Sequence, residues 1–330
     1  MKHVEEIVWG VIGAGKVCEK KSMPAMQRIP HSRVQTVMRR NEDKCRDFAE
    51  RHGVPRWTTD ASEIFRDPGI SAVYVATPPD SHAAYAKAAA DAGKAVYVEK
   101  PMARDHAECE SMIRACRKAD VPLFVAYYRR ALPHFLRVKE LLRQGAVGTP
   151  CSVRVLFRRP PYPEDISRPE SNWRIQPEIS GGGHFHDLAS HQLDLLDFLF
   201  GKVEDVHGFS ANRGGYYRPA DTLSATLRFK SGVIGSGSWC FVSPPQETKD
   251  LICILGTEGS LRFSTFGSSA IHGDTRSMGI FREEEELPVH IQEPLIRSIV
   301  SELRGEGQCP STGHSAARTS RVMDLICRDE

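Results

Sequence analysis

Val8-Trp9-Gly10-Val11-Ile12-Gly13-Ala14-Gly15-Lys16-Val17-Cys18 reads as an apolar run, a tight glycine turn and the start of a helix. Gly13 and Gly15 let the backbone turn sharply and come close to a bulky anion, whose charge the amino end of the next helix favours. Strand, glycine turn and helix in this order form the pyrophosphate cradle of a dinucleotide fold. Gly13, Gly15, Lys16 and Val17 are therefore candidate cofactor-binding residues, and the small Cys18 stands where the third glycine of the fingerprint would be. Such a loop is shared with ordinary turns, so its setting has to decide.

Outward from the loop, apolar runs at 7–12, 34–38, 72–76, 95–98 and 123–126 alternate with amphipathic stretches. Helices are expected at 42–52 and 81–92, each followed by a glycine, Gly53 and Gly93, at the position where helices commonly end. This is the rhythm of a parallel sheet wrapped by helices. It predicts an α/β fold with a Rossmann dinucleotide-binding domain over residues 1–128. A bridging helix at 132–144, ended by Gly145, then leads into strands at 152–158, 222–229, 233–241 and 251–255. With one strong helix at 185–200 and helical segments near 291–304 and 315–328, residues 129–330 are expected to form a second, sheet-based domain.

Three strand ends carry the chemistry of the first half. The second strand ends in Val37-Met38-Arg39-Arg40-Asn41, with no carboxylate for a ribose 2′-hydroxyl. Two guanidiniums suit a 2′-phosphate, so NADP(H) is favoured over NAD(H) and Arg39 and Arg40 join the cofactor set; the competing reading is that they solvate a strand end. Ala76-Thr77-Pro78-Pro79-Asp80-Ser81-His82 closes another strand in a polar turn on the ligand-bearing edge. Glu99-Lys100-Pro101 closes the run 94–98, and a residue before proline is biased to extended geometry. Lys100 is thus aimed by its backbone as well as its side chain, against the alternative of a solvated surface lysine.

In the second half, Gly181-Gly182-Gly183 precedes His184-Phe185-His186-Asp187-Leu188-Ala189-Ser190-His191. Asp187 and His191 stand at i and i+4, so a helix projects both from one face. Imidazole is the natural proton carrier at neutral pH, and a neighbouring carboxylate orients it; the alternative is a surface pair. His184 and His186 point to different faces, so packing or hydrogen bonding is expected of them and no metal site is predicted. The proline-rich stretch from Arg159 to Asp165 is either a lid or an ordinary connection.

A chain of 330 residues with 40% hydrophobic residues exceeds the size at which single cores stop growing, which again implies two domains. With 44 basic against 42 acidic residues and no basic block, neither nucleic acid nor an anionic membrane is an expected partner. No apolar run reaches the roughly 20 residues that span a bilayer, and no signal-type segment precedes the first strand. Nine cysteines without a Cys-x-x-Cys pair fit reduced thiols and a cytoplasmic location.

As a set, the glycine loop, Ala76-Thr77-Pro78 with His82, Glu99-Lys100-Pro101, Arg130 with Pro133 and Phe135, Asn172-Trp173-Arg174, and Gly181-Gly182-Gly183 with Asp187, His191 and Asp194 resemble the glucose-fructose oxidoreductase and inositol dehydrogenase (Gfo/Idh/MocA) family. The resemblance implies a Rossmann domain followed by an α+β domain with a mixed, largely antiparallel open sheet. It implies catalytic positions for Lys100, Asp187 and His191, cofactor contacts at Thr77, Pro78, His82 and Glu99, and substrate contacts at Tyr128, Trp173 and Arg174. Tyr128 departs from the Asn or Gln of many relatives, so substrate identity is not inherited. The implied reaction is hydride transfer at a secondary alcohol of a sugar, polyol or related cyclic hydroxy compound, with a homodimer or dimer of dimers as the assembly. Rival readings are nicotinamide-assisted glycoside cleavage, reduction of a dihydrodiol or tetrapyrrole, and a non-catalytic cofactor or sugar sensor.

Overall fold

Every residue of strand β1 (Ile7–Ile12) is buried, as expected of a strand at the centre of a parallel sheet covered on both faces. The protein is seen in a computed structural model, which describes residues 5–327. In it β1 pairs in parallel with β2 (Ser32–Met38) on one side, and β2 in turn pairs with β3 (Arg56–Thr58). On the other side lie β4 (Ala72–Val75), β5 (Ala95–Val98) and β6 (Leu123–Val125), giving the order β3-β2-β1-β4-β5-β6. This is the doubly wound arrangement whose strand order reverses at β1, where ligands of such sheets bind.

The helices between these strands start on polar caps: Asn41 before Glu42–Arg51, Asp60 before Ala61–Arg66 and Asp105 before His106–Lys118 each accept a backbone N–H through the side chain. Three of these elements lie outside the sequence expectation. Arg56–Thr58 and Ala61–Arg66 are too short to show a period. In His106–Lys118 the buried face is Cys109, Met112, Ile113 and Cys116, so cysteines stand where the pattern looks for aliphatics.

The chain divides into two compact units. The sequence pattern puts everything beyond residue 128 in the second domain; the structure instead returns Pro288–Ala317 to the first unit. Burial of Leu295, Ile296, Ile299, Val300 and Leu303 on the helix Glu293–Leu303 holds this segment there. Beyond that helix, Ser311 bonds the backbone of Val125 in both directions and Thr312 bridges Phe124. The return segment thereby covers the edge of β6, whose backbone groups would otherwise be unpaired.

The second unit holds β7 (Pro150–Arg158), β8 (Val203–Ala211), β9 (Thr222–Phe229), β10 (Ile234–Cys240), β11 (Lys249–Gly256), β12 (Gly259–Phe263), β13 (Ala270–Thr275) and β14 (Gly279–Glu284). Their order is β14-β13-β12-β11-β7-β10-β9-β8, antiparallel throughout except for the parallel β7–β10 pair. Strand β9 alternates buried and open positions, as a sheet with one covered face must. The expected helix at 185–200 lies on that covered face. Phe185 meets Trp239 edge-on at 5.3 Å, Gln192 accepts the Trp239 indole N–H at 2.7 Å, and Phe200 packs on Phe229 at 5.5 Å. Strand β14 escapes sequence reading because none of its residues is buried.

Candidate active site

Gly13 sits at φ 87° with its N–H on the carbonyl of Met38 at 2.9 Å. A Cβ there would lie 2.8 Å from the backbone N of Thr77, so the first turn and the turn after β4 are in contact and only glycine fits. At Gly15 a Cβ would meet only the Gly13 carbonyl, at 3.6 Å, leaving room for a phosphate-bearing group at the start of the helical segment. That segment begins as a π-turn, Cys18–Ser22, before Met23–Arg28. Burial drives the Cys18 thiol up to about 12, so it packs as a small neutral residue. Lys16 is exposed, Val17 half-buried, and Arg39 and Arg40 follow directly on β2. The residues present thus fit a nicotinamide dinucleotide.

The turn after β4 and the turn after β5 are tied by one imidazole. His82, fully buried, places Nε2 2.7 Å from the Thr77 carbonyl and Nδ1 3.1 and 3.2 Å from those of Pro101 and Met102. Burial pushes its pKa down, against the pull of these carbonyls and of Glu99. Next to it the Lys100–Pro101 bond is cis. The Glu99 carboxylate accepts the Tyr74 hydroxyl at 2.6 Å, the Gln292 amide at 2.8 Å and the Lys100 backbone N–H at 3.2 Å. Gln292 in turn accepts the Tyr97 hydroxyl at 2.9 Å. Burial first, and then the charge of Glu99, raise both tyrosine pKa values far above the ordinary range, so both hydroxyls remain donors. The Lys100 backbone is accordingly anchored on a buried hydrogen-bond network, a rigid support for its side chain. Tyr128 is buried in the same unit, with the Lys21 ammonium 5.8 Å from its ring.

Sequence reading missed Tyr74, Tyr97 and Gln292. The two tyrosines do leave a trace: Ala72-Val73-Tyr74-Val75 and Ala95-Val96-Tyr97-Val98 are identical tetrapeptides that pair in register, with rings stacked at 4.7 Å. Gln292 leaves none, since it lies 193 residues from Glu99.

In the second unit Asp187 accepts from Arg174 Nε at 3.2 Å, and the Arg174 guanidinium lies 4.5 Å over the Trp173 ring. The structure therefore brings three of the expected site residues together. His191 is 3% exposed and meets the Phe266 ring edge-on at 5.9 Å, and the Arg129 guanidinium lies 4.5 Å from the centroid of the same ring. Phe266 and Arg129 join the surroundings of His191 without a sequence signal.

The spacing predicts one regular helix over these residues, and the structure departs from it. Phe185–Ala189 is a π-turn, and Ser190–Phe200 follows as α-helix. The cause is local: the His186 ring donates from Nδ1 to the Gly182 carbonyl at 3.1 Å, the oxygen that a regular helix would offer to the His186 backbone. A Cβ at Gly182 would lie 2.1 Å from that ring, which explains the central glycine of the triplet. His184 donates from Nε2 to Asp165 at 2.7 Å, and both histidines thus act as hydrogen-bonding groups. Asp165 lies in a short helix, Pro163–Ser167, inside the proline-rich connection. Arg130 and Asp194 bond each other at 2.7 and 2.8 Å, and Asp197 joins Arg130 to Arg318, a buried brace that holds the start of this unit to its long helix.

The model of the oxidoreductase family NAD-binding Rossmann fold matches residues 7–127, and that of the GFO/IDH/MocA C-terminal domain matches residues 135–262. The chain is 40% identical to Oxidoreductase P35 of Formosa agariphila over 321 residues, 97% of this chain and 98% of that protein. It is 31% identical to myo-inositol 2-dehydrogenase of Thermotoga maritima over 232 residues, 68% of this chain and 66% of that protein. Its fold is shared with a solved structure of levoglucosan dehydrogenase in complex with NADH and levoglucosan, with a TM-score of 0.86 across 98% of each chain at 23% identity. On this evidence the chain belongs to the Gfo/Idh/MocA oxidoreductases, NAD(P)-dependent enzymes of the sugar and polyol dehydrogenase type with an NAD-binding Rossmann domain.

Proposed function

We propose that this protein interconverts a secondary alcohol and a carbonyl on a sugar, polyol or related cyclic hydroxy compound, with NADP(H) favoured over NAD(H). The observation that carries the reading is the buried Glu99 carboxylate, which bonds the backbone of Lys100 at the carboxyl end of a parallel strand. A bound nicotinamide supplies the hydride acceptor or donor. Gly13, Gly15, Lys16 and Val17 would hold its pyrophosphate, Arg39 and Arg40 a 2′-phosphate, and Thr77, Pro78, His82 and Glu99 the ribose and nicotinamide side.

His191 takes the proton of the reacting hydroxyl and returns it in the reverse direction, the role for which imidazole is suited near neutral pH. The Lys100 ammonium stabilises the negative charge that develops on the same oxygen. Asp187, held by Arg174, accepts a neighbouring hydroxyl and steadies the charged imidazole. Tyr128, Trp173 and Arg174 make the remaining substrate contacts. Two relatives support the substrate class, since one is named for myo-inositol and the solved neighbour for levoglucosan. Fluorescence titration with NADPH and NADH, alongside a sugar and polyol panel with each oxidised cofactor, tests the reading. Tighter NADPH binding and turnover of a panel member are expected; turnover of none, by protein that binds nucleotide, would overturn it.

A homodimer through the open face of the second unit's sheet is part of the same proposal. Leu255, Ser152 and Ile234 are cross-strand neighbours in register, and both Leu255 and Ile234 are 51% exposed. Phe209, 78% exposed, belongs to the same face through Ser224 and Ser238. Such an apolar face suits a self-complementary interface, and light scattering at micromolar protein should give twice or four times the chain mass. Among the described residues no helix is long and apolar enough to cross a membrane. A reducing, cytoplasmic setting belongs to the same proposal, supported by nine scattered cysteines without a Cys-x-x-Cys pair.

A further inference from the structure

We propose that Asp165 is the positioning residue of the substrate side of the site, an inference that rests on the reaction proposed above. Its carboxylate is fully buried and shared among three donors: Oδ2 takes His184 Nε2–H at 2.7 Å and the Tyr162 backbone N–H at 3.1 Å, and Oδ1 takes the Asn172 side-chain N–H at 2.7 Å. Burial opposes its ionisation, yet His184, Asn172 and Tyr162 together hold the carboxyl below its usual range. Asn172 carries the contact onward, because its oxygen accepts the Arg174 backbone N–H at 3.2 Å. Arg174 then reaches Asp187.

Asp165 thus reaches Arg174 through one arm and fixes His184, close before Asp187 in the chain, through the other. One arm runs through Asn172 to Arg174. The other runs through His184, which stands three residues before Asp187 and is packed between Tyr162 at 5.2 Å, Tyr217 at 5.5 Å and Phe241 at 6.0 Å. A buried carboxylate with every donor in place resists displacement, since each lost partner leaves a buried polar group unsatisfied. The proline-rich connection is consequently a fixed strut that presents Trp173 and Arg174, rather than a mobile lid.

Asp165→Asn tests this with one atom changed. The new amide oxygen still accepts from His184, but its NH2 faces the NH2 of Asn172, donor against donor. The Michaelis constant for whichever panel sugar or polyol the wild type turns over should rise about tenfold, one charge-assisted hydrogen bond's worth, with NADPH affinity within about twofold. Trypsin cleavage after Arg174, followed by mass spectrometry, should quicken in the variant, a readout that needs no substrate. The exchange Asp165→Asn with Asn172→Asp restores a donor facing an acceptor and should recover both the Michaelis constant and the protection. The proposal is overturned if Asp165→Asn leaves both unchanged. It is equally overturned if the single variant loses nucleotide affinity and turnover in parallel and the exchange recovers neither, which would make Asp165 a fold residue only. If the wild type turns over no panel member, the reaction reading fails by itself, while the cleavage pattern of the three proteins still decides whether Asp165 holds the strut.

Discussion

Lys100 is the residue on which the proposed reaction turns, and the structure anchors its backbone N–H on the Glu99 carboxylate, itself held by Tyr74 and Gln292. Lys100→Met keeps the length and removes the ammonium, so turnover should fall by about 10²- to 10³-fold, the usual cost of losing one donor to a developing oxyanion. Nucleotide affinity should stay within about threefold by fluorescence titration; near-normal turnover would remove Lys100 from the reaction. Arg39 makes its own test. The side chain is half-buried after β2, and among the described residues its one hydrogen bond, to the Lys44 carbonyl, is long at 3.4 Å, leaving it weakly held. Arg39→Asp should reverse the ratio of NADPH to NADH dissociation constants by about tenfold or more, since a charge-assisted phosphate bond is lost and a ribose acceptor gained. An unchanged ratio would leave the arginine as a solvated strand end. At this scale the sequence was informative where a residue's type is itself the signal, as with Gly13, whose turn only glycine fits, and silent where a residue serves through its neighbours, as with Asp165 and Gln292.

Elements were legible in proportion to how strongly burial patterned them. Strands β1, β5 and β9 follow the expected limits residue for residue, because a strand buried on one or both faces is written in apolar positions. Exposed β14 and three-residue β3 carry no such pattern. The helix Glu293–Leu303 is visible as a helix, but its partner is not. Gln292 at its start shows what the docking supplies: Gln292→Leu would leave Glu99 and Tyr97 each one partner short in a buried network. The cost should be about 1–3 kcal/mol for each stranded group, read as a lower urea midpoint. An unchanged midpoint would mean that the two groups find other partners.

Across the whole molecule, acid sensitivity has an identifiable source. His134 is 4% exposed, and burial, helped by the nearby Arg129 charge, pushes its pKa down to about 4 from an ordinary 6.5. The unfolded chain therefore takes up a proton near pH 6.5 that the fold refuses until near pH 4, and stability falls as the pH drops through that window. At 1.36 kcal/mol per pKa unit, the loss should come to roughly 3 kcal/mol. His134→Gln should flatten the urea midpoint between pH 6.5 and pH 4.5 relative to wild type; parallel curves would assign the acid response elsewhere. The sequence by itself determined the two kinds of sheet and the glycine loop, and singled out Lys100, Asp187 and His191 as candidates, because alternation, turn chemistry and residue type are local properties. Only the tertiary structure decided that Pro288–Ala317 returns to the first unit, that Glu99 is fixed by Gln292, and that Asp165 joins His184 to Asn172. Those are pairings between residues far apart in the chain, and periodicity within a segment holds no information about which distant surface will cover it.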